Sequence, residues 1–283
     1  MNAGTVGLLV SYDGTDYAGW QYQPDKTTIQ GVLEAALDRV HGVAPGTIGI
    51  VGSGRPDAGV HALGQVASFR PPTRREPAAL LNALFHVLPG DVRVLDVWDA
   101  PDGFHACRSA RGKVYRYRIV NRPFILPFEQ RWSWHVRRPL DLAAMRGAAA
   151  RLTGRHDFAS FATAGGQSET TVRTLHRLDV RGLPGGLVEI EAEADGFLYR
   201  MVRRLVFLQV MVGQGRLSQE TLQQALAGHT RLPAGLALRP DDDLGRHRLH
   251  AVQRGDRAVL SPLRLDLRRA GGREPRERSG RDA

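Results

Sequence analysis

"GSGRPDAGVHALGQVASF" spans residues 52–69 and sets one carboxylate, Asp57, among glycines, an arginine and a proline. Gly52, Gly54 and Gly59 permit backbone angles that other residues resist. Pro56 fixes its own φ and pushes Arg55 towards an extended conformation. The stretch therefore predicts a stiff, non-helical loop that aims Asp57 in one direction and then runs into a strand, with His61 and Gln65 just beyond. By itself such a loop reads first as a tight turn with a capping aspartate, because Asp is a common turn former. Its surroundings decide between a turn and a site.

Outward from the loop, periodicity gives a mixture of strands and helices. Residues 5–11 and "TIGIVGS" read as strands, and "GQVASFR" as the strand that leaves the loop. Between the first two, Ile29, Val32, Leu33, Ala36, Leu37 and Val40 form a helical stripe with Thr28 as its N-cap. "EPAALLNALFHVLP" is a second striped helix and "DVRVLDVWDA" an alternating strand. In "GKVYRYRIVN", Lys113, Tyr115, Tyr117 and Ile119 share one face. Further on, "DLAAMRGAAARLTG" is helical, and "TLHRLDVRG" with "GLVEIEAEA" predicts a hairpin. "GFLYRMVRRLVFLQVMVG" begins a long apolar helix, and "SQETLQQALAG" a short one capped by Ser218. No regular βαβ rhythm appears, so the expected class is α+β with mixed, largely antiparallel sheet. The division falls near Phe104 to Ser109. It gives an N-terminal α/β half over 1–107, a C-terminal half over 108–262, and an Arg-rich tail over 263–283 expected to be disordered.

The 283 residues carry a formal net charge of +10, which points to a polyanionic partner, most simply nucleic acid. Lys26 and Lys113 are the only lysines, so arginine supplies almost all of the basic charge. The single cysteine, Cys107, excludes an intrachain disulfide and a cysteine-rich zinc cluster, and agrees with a reducing cytoplasm. Neither a signal peptide nor a membrane-spanning apolar run is present, so a soluble, cytoplasmic protein without membrane contact is expected. The sequence lacks a Walker loop, a G-x-G-x-x-G after a strand, an H-E-x-x-H and a nucleophile elbow. His156 and Asp157 lack a second ligand pair, so no metal site is nominated. Trp20 and Tyr22 either stack on unpaired bases or belong to the core. Tyr115, on an alternating strand, is by default a buried structural tyrosine. The residues alone describe a cofactor-free, RNA-facing protein with a carboxylate on a rigid loop.

Seven segments in order extend this reading. "YDGTDYAGWQYQP" with "TIQGVLEAAL", the opening loop, "LNALFHVLPGDVRV", "FHACRSARGKVYRYRI", "GRHDFASF", "GFLYRMVRRLV" and "PAGLAL" together closely resemble the tRNA pseudouridine synthase A family over about residues 7–238. The resemblance implies two α/β halves around a central basic cleft. It also implies an isomerase that detaches uracil from the ribose of a tRNA uridine and rejoins it through C5. The expected targets are positions 38, 39 and/or 40, on the 3′ side of the anticodon stem-loop. A homodimer is implied, and no metal or organic cofactor.

By the same resemblance Asp57 is the catalytic carboxylate, either adding to uracil C6 or acting on the ribose. Arg203 pairs with it, and Arg55 helps displace the target base from its stack. Tyr115 packs against the uracil, and Leu236 forms an apolar wall. His61 and Gln65 join Arg55 and Tyr115 as expected substrate contacts. Several positions depart from the pattern. Pro56 replaces a threonine, Cys107 and Arg108 stand where an arginine and an apolar or aromatic residue are expected, and Phe207 replaces a glycine of the long helix, implying altered packing near Arg203. "RLPAGLALRPDDD" also differs from the family's usual C-terminal pattern. Two rival functions follow from the residues: a non-catalytic tRNA chaperone of the same shape, and a glycoside hydrolase, which needs a second acid that no segment supplies.

Overall fold

Strand periodicity and turn placement put ten strands into one sheet. The computed structural model describes residues 4–166, 168–235 and the strand 249–254. The first half contains β1 (Val6–Tyr12), α1 (Ile29–His41), β2 (Ile50–Gly52), β3 (His61–Phe69), α2 (Pro77–Val87) and β4 (Val92–Asp99). The second contains β5 (Gly112–Val120), α3 (Pro127–Gln130), β6 (Trp134–His135), α4 (Leu142–Leu152), β7 (Gly154–Asp157), β8 (Val172–Leu183), β9 (Leu187–Ala194), α5 (Met201–Gly213) and α6 (Gln219–Leu226). The last described strand, β10, is Leu249–Arg254.

The sheet order is β4-β1-β3-β10-β5-β9-β8-β7, with β2 beside β3 and β6 beside β5. Most pairs are antiparallel; β10 with β3 and β5 with β6 are the parallel ones. The expected α+β class with mixed, largely antiparallel sheet is the class observed. Strands β4, β1 and β3 form one end of this sheet and β5, β9, β8 and β7 the other, and β10 lies between them, parallel to β3 and antiparallel to β5. Leu236 and the tail 263–283 lie outside the described residues.

Each half has its own core. In the first, Leu33 and Leu37 of α1 and Leu80 and Leu84 of α2 pack over Leu8, Val10 and Ala67 of the sheet. Thr28 caps α1 as its position predicts, accepting from the Gly31 amide at 3.2 Å. In the second, α5 is buried on nearly every side, as its continuous apolar sequence requires, against α4 and the β5–β9–β8 strands. Val60, at the end of the aspartate loop, packs into this second core and so anchors the loop across the division. Phe207 of α5 meets Gly235, where an added Cβ would collide with its ring. The bulky residue at 207 is thus matched by a small one 28 positions on. Among the described residues, no helix is long and apolar enough to cross a membrane.

Candidate active site

The loop that aims Asp57 is held from three sides. The Trp20 amide donates to the Pro56 carbonyl at 3.0 Å, and the Val60 amide closes a turn onto the Asp57 carbonyl at 3.2 Å. Gly19, at φ +103°, must be glycine, because a Cβ there would lie 2.8 Å from the Pro56 oxygen. This is why "YDGTDYAGWQ" and "GRPDAGVH" occur together: one loop is the other's backing. Below them, the Tyr12 hydroxyl donates to Gln65 Oε1 at 3.0 Å, and Gln65 Nε2 donates to the Gly54 carbonyl at 3.1 Å. Gly52 lets the Trp20 indole and the Gln65 amide pack against the loop's entry.

This arrangement changes the reading of several residues. Gln65 is fully buried and His61 only 2% exposed, so both lie beneath the loop rather than in the cleft. Neither residue is among those that line the cavity described below. His61 Nδ1 lies 2.9 Å from Asp13 Oδ1, and the ring lies against Trp132 at 4.7 Å between centroids. Burial pushes the Asp13 carboxyl up, but hydrogen bonds from Thr15 and the charges of His61 and Arg131 outweigh it and hold the carboxyl below its usual value. Trp20, 2% exposed, is a core residue, whereas Tyr22 is 56% exposed.

Asp57 itself is half-buried and lines a cavity of about 720 Å³ between the halves. The same cavity is lined by Arg55 from the loop, Lys113 and Tyr115 from β5, and Arg200 and Arg203 at the start of α5. Four of these side chains are cations, and among the described residues Asp57 is the only carboxylate in the lining, so the cleft is basic. Desolvation pushes the Asp57 carboxyl up, while Arg200 and Arg203 pull it down; the net direction is upward. Burial, with the Asp57 charge adding to it, pushes the Tyr115 phenol up to about 12. Tyr115 is therefore a neutral hydroxyl at physiological pH, packed edge-on to Phe197 with ring centroids 5.2 Å apart. Deeper along the same strand face, Tyr117 is core.

Arg200 is the residue that the sequence reading missed. It caps α5 with φ +56°, a left-handed conformation uncommon outside glycine, and its guanidinium lies 4.7 Å from the Tyr199 ring centroid. It stands three residues before Arg203, one helical turn away, and that spacing was the available signal. Asp57, Arg55, Tyr115 and Arg203 all line this cavity. No group of three or more potential metal ligands occurs among the described residues.

With this geometry in view, a family model described as tRNA pseudouridine synthase matches residues 8–108 and 148–247. The chain belongs to the tRNA pseudouridine synthase family. Among its relatives, a tRNA pseudouridine synthase A of Thermoanaerobacter sp. (strain X514) is 40% identical over 235 residues, covering 83% of this chain and 95% of the relative. The corresponding protein of Syntrophotalea carbinolica is 44% identical over 231 residues, covering 82% and 90%. That of Myxococcus xanthus is 42% identical over 228 residues, covering 81% and 85%. Both the aspartate loop and α5 of this pseudouridine synthase family member fall inside the matched segments.

Proposed function

We propose that the chain isomerises uridine to pseudouridine in the anticodon stem-loop of tRNA, with Asp57 as the catalytic carboxylate. The observation that carries this reading is the placement of Asp57: a lone acid on an over-determined loop, facing two arginines and a tyrosine in a basic cavity. The reaction breaks the N1–C1′ bond, turns the uracil, forms the C5–C1′ bond and releases the proton from C5. A carboxylate acting on the base or the ribose must be ionised, and Arg200 and Arg203 favour that form against the cost of burial. The cavity takes one extruded nucleotide, and the exposed Arg55 at its mouth occupies the space that the base leaves in the stack. Tyr115 offers a neutral face and a hydroxyl to the uracil. Gln65 and His61 hold the loop from below.

Tritium at uridine C5 must leave as that carbon becomes glycosidic, so tritium release from labelled tRNA tests the reading. The wild type releases tritium, and Asp57→Asn releases none while retaining tRNA binding. Equal release by both would remove Asp57 from the chemistry, and no release by either would replace the isomerase with a tRNA-binding chaperone. A homodimer belongs to the same proposal, and sedimentation equilibrium of the full chain tests it.

A further inference from the structure

We propose that Arg131 and Trp132, on the connection between α3 and β6, are positioning residues that tie the strand carrying Tyr115 to the loop carrying Asp57. This rests on the reading above that Asp57 acts on a uridine beside Tyr115. Asp57 lies between β2 and β3, whereas Tyr115 lies on β5, across β10 in the sheet, and Arg203 lies in α5. Their separation is therefore set by contacts between elements. A misplacement of about 1 Å costs on the order of 10²-fold in rate, so such contacts bear directly on the chemistry.

Arg131 reaches across that gap. Its Nη2 lies 3.3 Å from Asp13 Oδ2 and 3.7 Å from Asp16 Oδ2, and its Nε donates to Thr15 Oγ1 at 3.2 Å. The guanidinium also stands 5.5 Å from the centroid of the Trp132 ring, the same ring that lies against His61. At one end the pair is fixed by β6, which sets Trp134 opposite Ile119 and His135 opposite Val120 of β5. Trp134 is buried, with its ring edge-on to Tyr117. At the other end, the turn over residues 13–17 is anchored to Asp91. The Asp13 amide donates to the Asp91 carbonyl at 2.8 Å, and the Tyr17 hydroxyl to Asp91 Oδ1 at 2.8 Å. That turn touches the aspartate loop directly. The Gly59 amide donates to the Tyr17 carbonyl at 3.4 Å, and a Cβ on Gly14 would lie 2.0 Å from the Val60 carbonyl oxygen. Arg131, half exposed, does not line the cavity, so it acts on Asp57 through this turn. Exposed ion pairs add little to stability. What this one supplies is register between two rigid pieces.

The test measures kcat and KM by tritium release, Kd for tRNA by fluorescence anisotropy, and hydrogen exchange over residues 52–61 by mass spectrometry, all on the full chain. Arg131→Ala lowers kcat by about 10–10²-fold, the range expected when a catalytic group drifts by up to an ångström. It leaves KM and Kd within about twofold, because what is lost is used only in the transition state. Exchange over 52–61 speeds up, while the thermal midpoint falls by no more than about 4 °C. Arg131→Lys keeps a charge opposite Asp13 and recovers most of kcat. Trp132→Ala has the same signature as Arg131→Ala, and the double variant loses less than the product of the two, since both act on one turn. Arg74→Ala, which breaks an exposed 2.9 Å ion pair with Asp99, leaves kcat and exchange as they were. A raised Kd with kcat intact would make Arg131 a contact for tRNA and overturn the tie. A loss of stability with kcat and exchange unchanged would overturn it as well. If Trp132→Ala fails to fold by circular dichroism, Arg131→Ala and its lysine rescue decide alone. Faster exchange in Arg131→Ala beside a wild type that releases no tritium defeats the isomerase reading and leaves the tie standing. Tritium release by the wild type with kcat unaltered in Arg131→Ala defeats the tie alone.

Discussion

The two faces of β5 use basic residues in opposite ways. On the outer face, Arg116 lies 2.9 Å from Glu191, Arg177 of β8, the strand beyond β9, lies 3.1 Å from Glu193 and 2.8 Å from Asp179, and Arg118 lies 3.7 Å from Glu189. Burial raises the Glu191 carboxyl, but Arg116 and Arg177 outweigh it and hold the group below its usual value. This ladder neutralises itself and stitches β5, β9 and β8 together. On the cleft side, Arg55, Lys113, Arg200 and Arg203 share the cavity lining with Asp57, its one carboxylate among the described residues. A net charge of +10 does not distinguish these sets. What distinguishes them is whether a carboxylate stands opposite, which is a matter of strand register rather than composition.

The contrast can be attacked in order of expected effect. Arg203→Ala removes a cleft cation that acts on Asp57 and lowers kcat by about 10²–10³-fold, the usual scale for losing one preorganised electrostatic partner. The pH profile gives its sign. Asp57 has a raised pKa, so activity climbs with pH as the carboxyl ionises, and losing Arg203 moves that acidic limb to higher pH. A limb that stays in place would mean that Arg203 does not set the ionisation of Asp57. Gln65→Met comes next. It leaves the Tyr12 hydroxyl and the Gly54 carbonyl without their buried partner, at a cost of about 1–3 kcal/mol in thermal or urea unfolding, and kcat falls with it. Unchanged activity would show that the loop holds Asp57 without its clamp. Arg116→Ala has the smallest effect: no more than about 1 kcal/mol of stability, with Kd for tRNA and its salt slope unaltered. A change in that slope would erase the division between the two faces.

Much of the fold was legible because it is local. The alternation in "GKVYRYRIV", the stripe after Thr28 and the apolar run of α5 each encode their own partner face. Asp57 was legible because glycines and a proline around an acid narrow what the loop can do. Other features depend on contacts distant in sequence. β6 is two residues long and exists only as a pairing with β5. The polar side chains at 61 and 65 are buried, a placement set by the strands packed on both sides of β3 rather than by their own polarity. Arg200 offered only its one-turn spacing from Arg203; that a left-handed residue opens α5 there depends on the assembled structure. Lys113 was visible as a member of a strand face, but its place in the cavity beside Asp57 and Tyr115 appears only once the sheet is assembled.

The strand β10 sets an order of events for the whole molecule. Residues 249–254 are made after every other described element, yet they lie between β3 and β5, with His250 opposite His61 and Arg116. During synthesis each half can gather its own core while the groove between them still lacks its floor. The pairing that bridges β3 and β5 forms only on insertion of this late strand, a contact between residues nearly two hundred positions apart and therefore slow to close. A ribosome-bound chain stalled short of residue 249 should thus resemble two tethered lobes, already resistant to protease and not yet able to grip RNA.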